Sequence, residues 1–233
     1  MLFRYSPLII HLVISNIGLI VVSFLVFFPS NYVEITWQKQ IISIVFAALC
    51  FFGMIAVFFP NICSKIAFGN KQNNNNTINL SSDKFSSFFG IKLIHGHHST
   101  LKQFSNHEFR LRNKSICAGC FGLFIGGFIS FIGIIMYNFL DIVFFGVPQQ
   151  LVWLGVVSVV LAIFSPIFYN VSSFVRIFLN IFLILGMLFI LIGIDILFSS
   201  FGINIFLIGL FIFFIISRIS VSKYNHEKIY SKK

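Results

Sequence analysis

The chain has 233 residues, 58% of them hydrophobic and 9% charged, with a mean hydropathy of +0.99. So little charge cannot coat a soluble domain of this size, and the apolar runs are too continuous for the alternating strands of an outer-membrane barrel. The formal net charge of +10 raises nucleic acid as a partner, which the placement of the charges then excludes.

Apolar runs of about 18 or more residues with few charges are candidate membrane helices. The chain offers six, so the expected class is an all-α, polytopic integral membrane protein. The first run, Pro7 to Phe28, follows Arg4 and stops at Pro29-Ser30-Asn31. It lacks the short apolar core and small residues of a cleavable signal, so it is read as a retained helix. His11, one turn inside, reads as an interfacial histidine near the helix end. Tyr32 and Trp37 are placed as interfacial aromatics before the second run, Gln40 to Phe59, which ends at Pro60. Cys50 falls mid-helix as a small apolar residue, whereas Cys63 lies just past the end and is a reserve ligand.

From Ser64 to Ser115 the chain turns polar. The Asn-rich stretch from Lys71 through Ser82 cannot bury a core and reads as a linker. Apolar character returns at Phe85 to Ile94, a segment suited to lie along the membrane surface or to pack under a neighbouring group of histidines and cysteines. Between His95 and Cys120 stand four of the six histidines (His95, His97, His98, His107) and two of the four cysteines (Cys117, Cys120).

The third run, Ala118 to Leu140, begins inside this Cys-x-x-Cys. Gly122 and Gly126, with Gly119, Gly127 and Gly133 nearby, would let another membrane helix approach closely and suggest a central position. The fourth run is Leu151 to Phe168, the fifth extends to Phe198 and carries Asn180 and Asp195, and the sixth is Ile203 to Ile219. Arg176, before the fifth, reads first as a snorkelling interfacial arginine and second as a neighbour of the His/Cys cluster. For Asp195, near the outer end of its helix, a functional role and simple hydration are equal readings.

The segmentation is therefore an N-terminal helical hairpin over 1–60, a cytosolic loop with linker and His/Cys cluster over 61–116, a four-helix membrane region over 117–220 and a basic tail over 221–233. With the N-terminus inside, fifteen of the 16 lysines and arginines fall on the cytosolic side, leaving only Lys39 outside. This positive-inside asymmetry places both termini in the cytosol of a multi-pass cell-membrane protein. It also explains the net charge through topology and attraction to anionic lipid headgroups, with no nucleic acid required. Oligomeric state is left open.

A cytosolic Cys-x-x-Cys stays reduced and suits a metal or thiol chemistry better than a structural disulfide. Zinc takes four thiolate and imidazole ligands in a tetrahedron. The expected set is Cys117, Cys120, His107 and one of His97 or His98, with His95 and Cys63 in reserve. The start of a helix favours thiolates through its unpaired N–H groups and dipole. Glu108, beside His107, is a candidate partner of a ligand or a general base, against a simply solvated role. The competing readings are a thiol-disulfide oxidoreductase using Cys117 and Cys120, a small-solute or ion transporter, and an inert loop whose histidines are interfacial and whose cysteines merely pack.

At Cys117-Ala-Gly-Cys-Phe-Gly-Leu-Phe-Ile-Gly126 the chain resembles an uncharacterised prokaryotic membrane-protein family, domain of unknown function 2085. Members carry a Cys/His loop and then a Cys-x-x-Cys-x-Gly motif opening a membrane helix, matched here by His97, His98, Cys117, Cys120, Gly122 and Gly126. Bacterial members have Cys before the loop His and Arg within the motif. This chain has His97 (or a residue close by) and Gly119 there, as in an archaeal-like variant. A later Pro, acid, Arg pattern is matched by Pro166, Asn170 and Arg176, with Asn replacing the acid. The resemblance spans Gly96 to Gly186 and implies a site without implying an activity.

Overall fold

The computed structural model describes residues 6–29, 36–58, 85–88, 91–94, 108–111, 114–140, 147–168 and 172–230. Among them are six helices: α1 (Ser6–Leu25), α2 (Thr36–Phe58), α3 (Ala118–Leu140), α4 (Pro148–Phe168), α5 (Ser173–Phe198) and α6 (Phe201–Tyr230). Four short strands, β1 (Phe85–Phe88), β2 (Ile91–Ile94), β3 (Glu108–Leu111) and β4 (Lys114–Cys117), interrupt the series between α2 and α3. Helices are the forced choice for such apolar runs, because they satisfy every backbone N–H and C=O internally. Five of the six are long and apolar enough to cross a membrane. In α1 the apolar stretch, Ile9–Leu25, is shorter than in the others.

The helices alternate in direction. The start of α1 meets the end of α6, where His11 Nδ1 and Ser220 Oγ are 3.1 Å apart and the Ser15 and Ser217 hydroxyls 2.7 Å apart. The start of α2 lies by the start of α6, with Trp37 stacked near Phe201 and Phe46 near Phe211. Helices α3 and α5 run parallel, their contacts stepping from Gly122 and Ile177 to Gly133 and Leu188. The bundle thus has a Cys-x-x-Cys end, at the starts of α1, α3 and α5, and a far end, at the starts of α2, α4 and α6. Helices α1 and α2 make their main contacts with α6 and α3 rather than with each other.

The central helix is α5, not α3. Of its span 67% is buried, against 28% for α3. Its neighbours α3 and α4 reach it through glycines. A Cβ on Gly122 would stand 2.5 Å from the Ile177 carbonyl oxygen, and one on Gly155 would stand 2.6 Å from that of Gly186. The Gly155–Gly186 approach is reciprocal, since a Cβ on Gly186 would stand 2.8 Å from the Gly155 carbonyl oxygen. Small residues at such points let backbones approach where no hydrophobic drive brings helices together.

The outer faces are apolar. Phe24, Phe52, Phe139 and Phe174 are each at least 62% exposed, as are many branched aliphatic residues near them. A belt of this extent is unsustainable in water and is what a lipid-facing surface requires. The chain is a multi-pass membrane protein.

The loop before α3 is not wholly irregular. Strands β1 and β2 pair antiparallel, as do β3 and β4. Within Phe85 to Ile94, β1 and β2 therefore form an antiparallel pair, with β2 packed on α2. Strand β3 packs on α5.

Filling a glycine contact should loosen the bundle. Gly155→Val or Gly186→Val is expected to lower stability by about 1–3 kcal/mol through overpacking. Gly202→Ala, with nothing within 4 Å of the added Cβ, should stay within about 0.5 kcal/mol. Unfolding of the protein in mixed micelles by rising fractions of a denaturing detergent measures both.

Candidate functional site

Two clusters of buried polar side chains close the two ends of the bundle. At the Cys-x-x-Cys end, Arg176 in the first turn of α5 and Arg218 near the membrane end of α6 are each 7% exposed. Arg218 Nε donates to Asn180 Oδ1 at 2.9 Å. Asn180 Nδ2 in turn donates to the Gly119 carbonyl, inside the Cys-x-x-Cys, at 3.1 Å. One asparagine therefore ties α6, α5 and the first turn of α3 together. Arg176 stands one helical turn before Asn180 on the same face, so the two guanidiniums share this region and the charge of Arg176 acts on Arg218. Arg176 is thus no snorkelling residue; its second reading, as a neighbour of the Cys-x-x-Cys, is the one its burial supports.

At the far end Asp195 is 8% exposed. Tyr137 donates its hydroxyl to Oδ2 at 2.7 Å, and Asn204 Nδ2 donates to Oδ1. Lys39 Nζ lies 4.3 Å from the centre of the Tyr137 ring, as a cation over a π face. Asp195 is therefore a hydrogen-bonded crosslink between α3, α5 and α6 rather than a hydrated interfacial acid.

The Cys-x-x-Cys spans an element boundary. Cys117 closes β4 and Cys120 lies in the first turn of α3, half-buried. In the β3–β4 pair Cys117 stands opposite Glu108. Glu108 directly follows His107 in the sequence. His107 itself lies outside the described residues, as do His95, His97, His98 and Cys63. Among the described residues no group of three or more His, Cys, Asp or Glu forms a metal-binding cluster. Cys50 is buried mid-helix, as expected of a small apolar residue. His11 is half-buried and paired with Ser220, which agrees with an interfacial packing role.

Arg218, Asn180, Tyr137 and Asn204 are the members sequence reasoning missed. Arg218 had a signal, since it stands inside the last apolar run, where an ionisable group is a functional candidate by default. Asn180 had a weaker one, four residues after Arg176.

No protein-family model, no curated protein and no solved structure matches the chain.

Removing the shared asparagine is expected to be costly beyond its size. Asn180→Ala strands Arg218 Nε and the Gly119 carbonyl and should cost about 0.6–2 kcal/mol. A double-mutant cycle with Arg218→Ala should show coupling, because each change alone already breaks the shared bond. Additive losses in micellar unfolding would show that the bond contributes nothing.

Proposed function

We propose that this is a six-span protein of the cell membrane, both termini cytosolic, whose working end is the Cys-x-x-Cys end. Support for the sixth span is that α1, 20 residues long, lies antiparallel along α6 within the bundle. At about 1.5 Å per residue such a helix reaches about 30 Å, the thickness of a bilayer core. Support for the orientation is the clustering of lysine and arginine at the Cys-x-x-Cys end and in the loop and tail joined to it.

There a zinc ion held by Cys117, Cys120, His107 and one of His97 or His98 fastens the cytosolic loop to the start of α3. The observation that supports this reading is the β3–β4 register, in which Glu108 pairs with Cys117, while His107 directly precedes Glu108 in the sequence. Two thiolates at a helix start match the ion's preference, and imidazoles from the preceding loop complete a tetrahedron. The resemblance to domain of unknown function 2085 covers this same segment and adds no activity.

The second reading, a thiol-disulfide oxidoreductase, is favoured by one observation. Two buried arginines lie beside the first turn that carries Cys120, and nearby cations stabilise a thiolate.

Metal content of the detergent-purified protein separates the two. About one zinc per chain, lost in Cys117→Ser plus Cys120→Ser, is the expected result. Metal-free protein whose two thiols cycle to a disulfide overturns the zinc reading in favour of the second.

Orientation has its own check. A cysteine introduced at Val147, in the link between α3 and α4, should react with an impermeant maleimide in intact cells. One introduced at Asn75 should react only after permeabilisation. The reverse pattern would invert the topology.

A further inference from the structure

The far end of the bundle buries an acid together with an amide oxygen that has nothing to accept. Asp195 in the last turn of α5 is 8% exposed, and Asn204 in the first turn of α6 is 1% exposed. Only Ser199 and Ser200 lie between the two helices, and Ser199 takes the left-handed conformation, with φ 43°. Its backbone N–H donates to the Asp195 carbonyl at 2.8 Å. This tight turn sets the Asn204 amide against the Asp195 carboxylate, with Nδ2 donating to Oδ1.

Two demands remain there. Asp195 receives neutral donors from Tyr137 and Asn204 and makes no ion pair among the described residues. Asn204 Oδ1 is buried with no hydrogen-bond partner among the described residues. Turning the amide over gives no relief, because an oxygen would then face the carboxylate. A water molecule would satisfy the amide oxygen and leave the charge as it stands, whereas a cation answers both. The helix ends favour a cation as well. Two helices finish here, α3 and α5, against one that begins, α6, and helix C-termini carry partial negative charge.

We propose that the Asp195 carboxylate and Asn204 Oδ1 form a binding site for a monovalent alkali cation. Oxygen donors alone suit a hard ion. One carboxylate balances one positive charge. Lys39, with Nζ 4.3 Å from the centre of the Tyr137 ring, adds a charge that opposes a second one on the ion. Calcium would ask for roughly six to eight oxygens. No cysteine or histidine takes part, so the site stands whether or not zinc is bound at the other end.

The test uses the full-length protein in uncharged detergent at constant ionic strength. Sodium or potassium chloride replaces choline chloride, and Tm is read for each. A saturable rise of roughly 2–4 °C over choline is expected with at least one of the two metals. It should disappear in Asp195→Asn and persist in Glu108→Gln, which removes an acid at the Cys-x-x-Cys end. If Asp195→Asn does not fold, Asn204→Leu replaces it, keeping the bulk without the oxygen, and should lose at least half of the shift. No rise over choline with either metal overturns the proposal, and so does a full shift in the Asp195 or Asn204 variant. A rise that appears only in Lys39→Gln also overturns it, because Lys39 is then the counter-cation of Asp195.

Discussion

The architecture depends on how closely α5 lies against its neighbours. In lipid, apolar side chains gain nothing by leaving the solvent for each other, so helices are held by backbone-level packing and by buried polar bonds. The glycines of α3 and α4 supply the first. Gly122, Gly126 and Gly133 form a strip on which α5 lies, and Gly155 meets Gly186 backbone to backbone. Because the glycine contacts run nearly the length of α5, they set its depth relative to α3 and α4 and so fix which side chains meet at each end.

What they fix is a pair of polar closures separated by an apolar middle. At one end Tyr137, Asp195 and Asn204 bring three helices together around one carboxylate, and at the other Asn180 joins Arg218 to the Gly119 carbonyl. The two differ in chemistry. The Asp195 closure supplies donors to both carboxylate oxygens, while the buried Asn204 Oδ1 has no partner among the described residues. The Asn180 closure leaves a buried guanidinium nitrogen without a partner among the described residues and adjoins the turn that carries Cys120.

The membrane class, the positions of five spans and the close approach at Gly122 and Gly126 were legible in the sequence, because long apolar runs and small residues act through composition and spacing alone. The centrality of α5 was not. A helix facing lipid and a helix facing other helices are equally apolar, so hydropathy cannot rank them. The burial of Arg176 was misread for a related reason. Its position at a helix start is compatible with snorkelling, and only the arrival of Arg218 from α6 makes it part of an interior. The strands were invisible because four-residue segments carry too short an alternation to stand out from a polar loop. The Cys-x-x-Cys was plain, while its proposed histidine partners lie outside the described residues.

Charge separates the zinc and thiol readings at this one end. A zinc ion with two thiolates and two neutral imidazoles carries no net charge, so it would leave the positive field of the buried arginines as it stands. Without metal the same field would favour thiolate over thiol at Cys120. The two readings therefore differ in what the charge of Arg176 and Arg218 acts on, and neither needs any movement of the helices that Asn180 ties together.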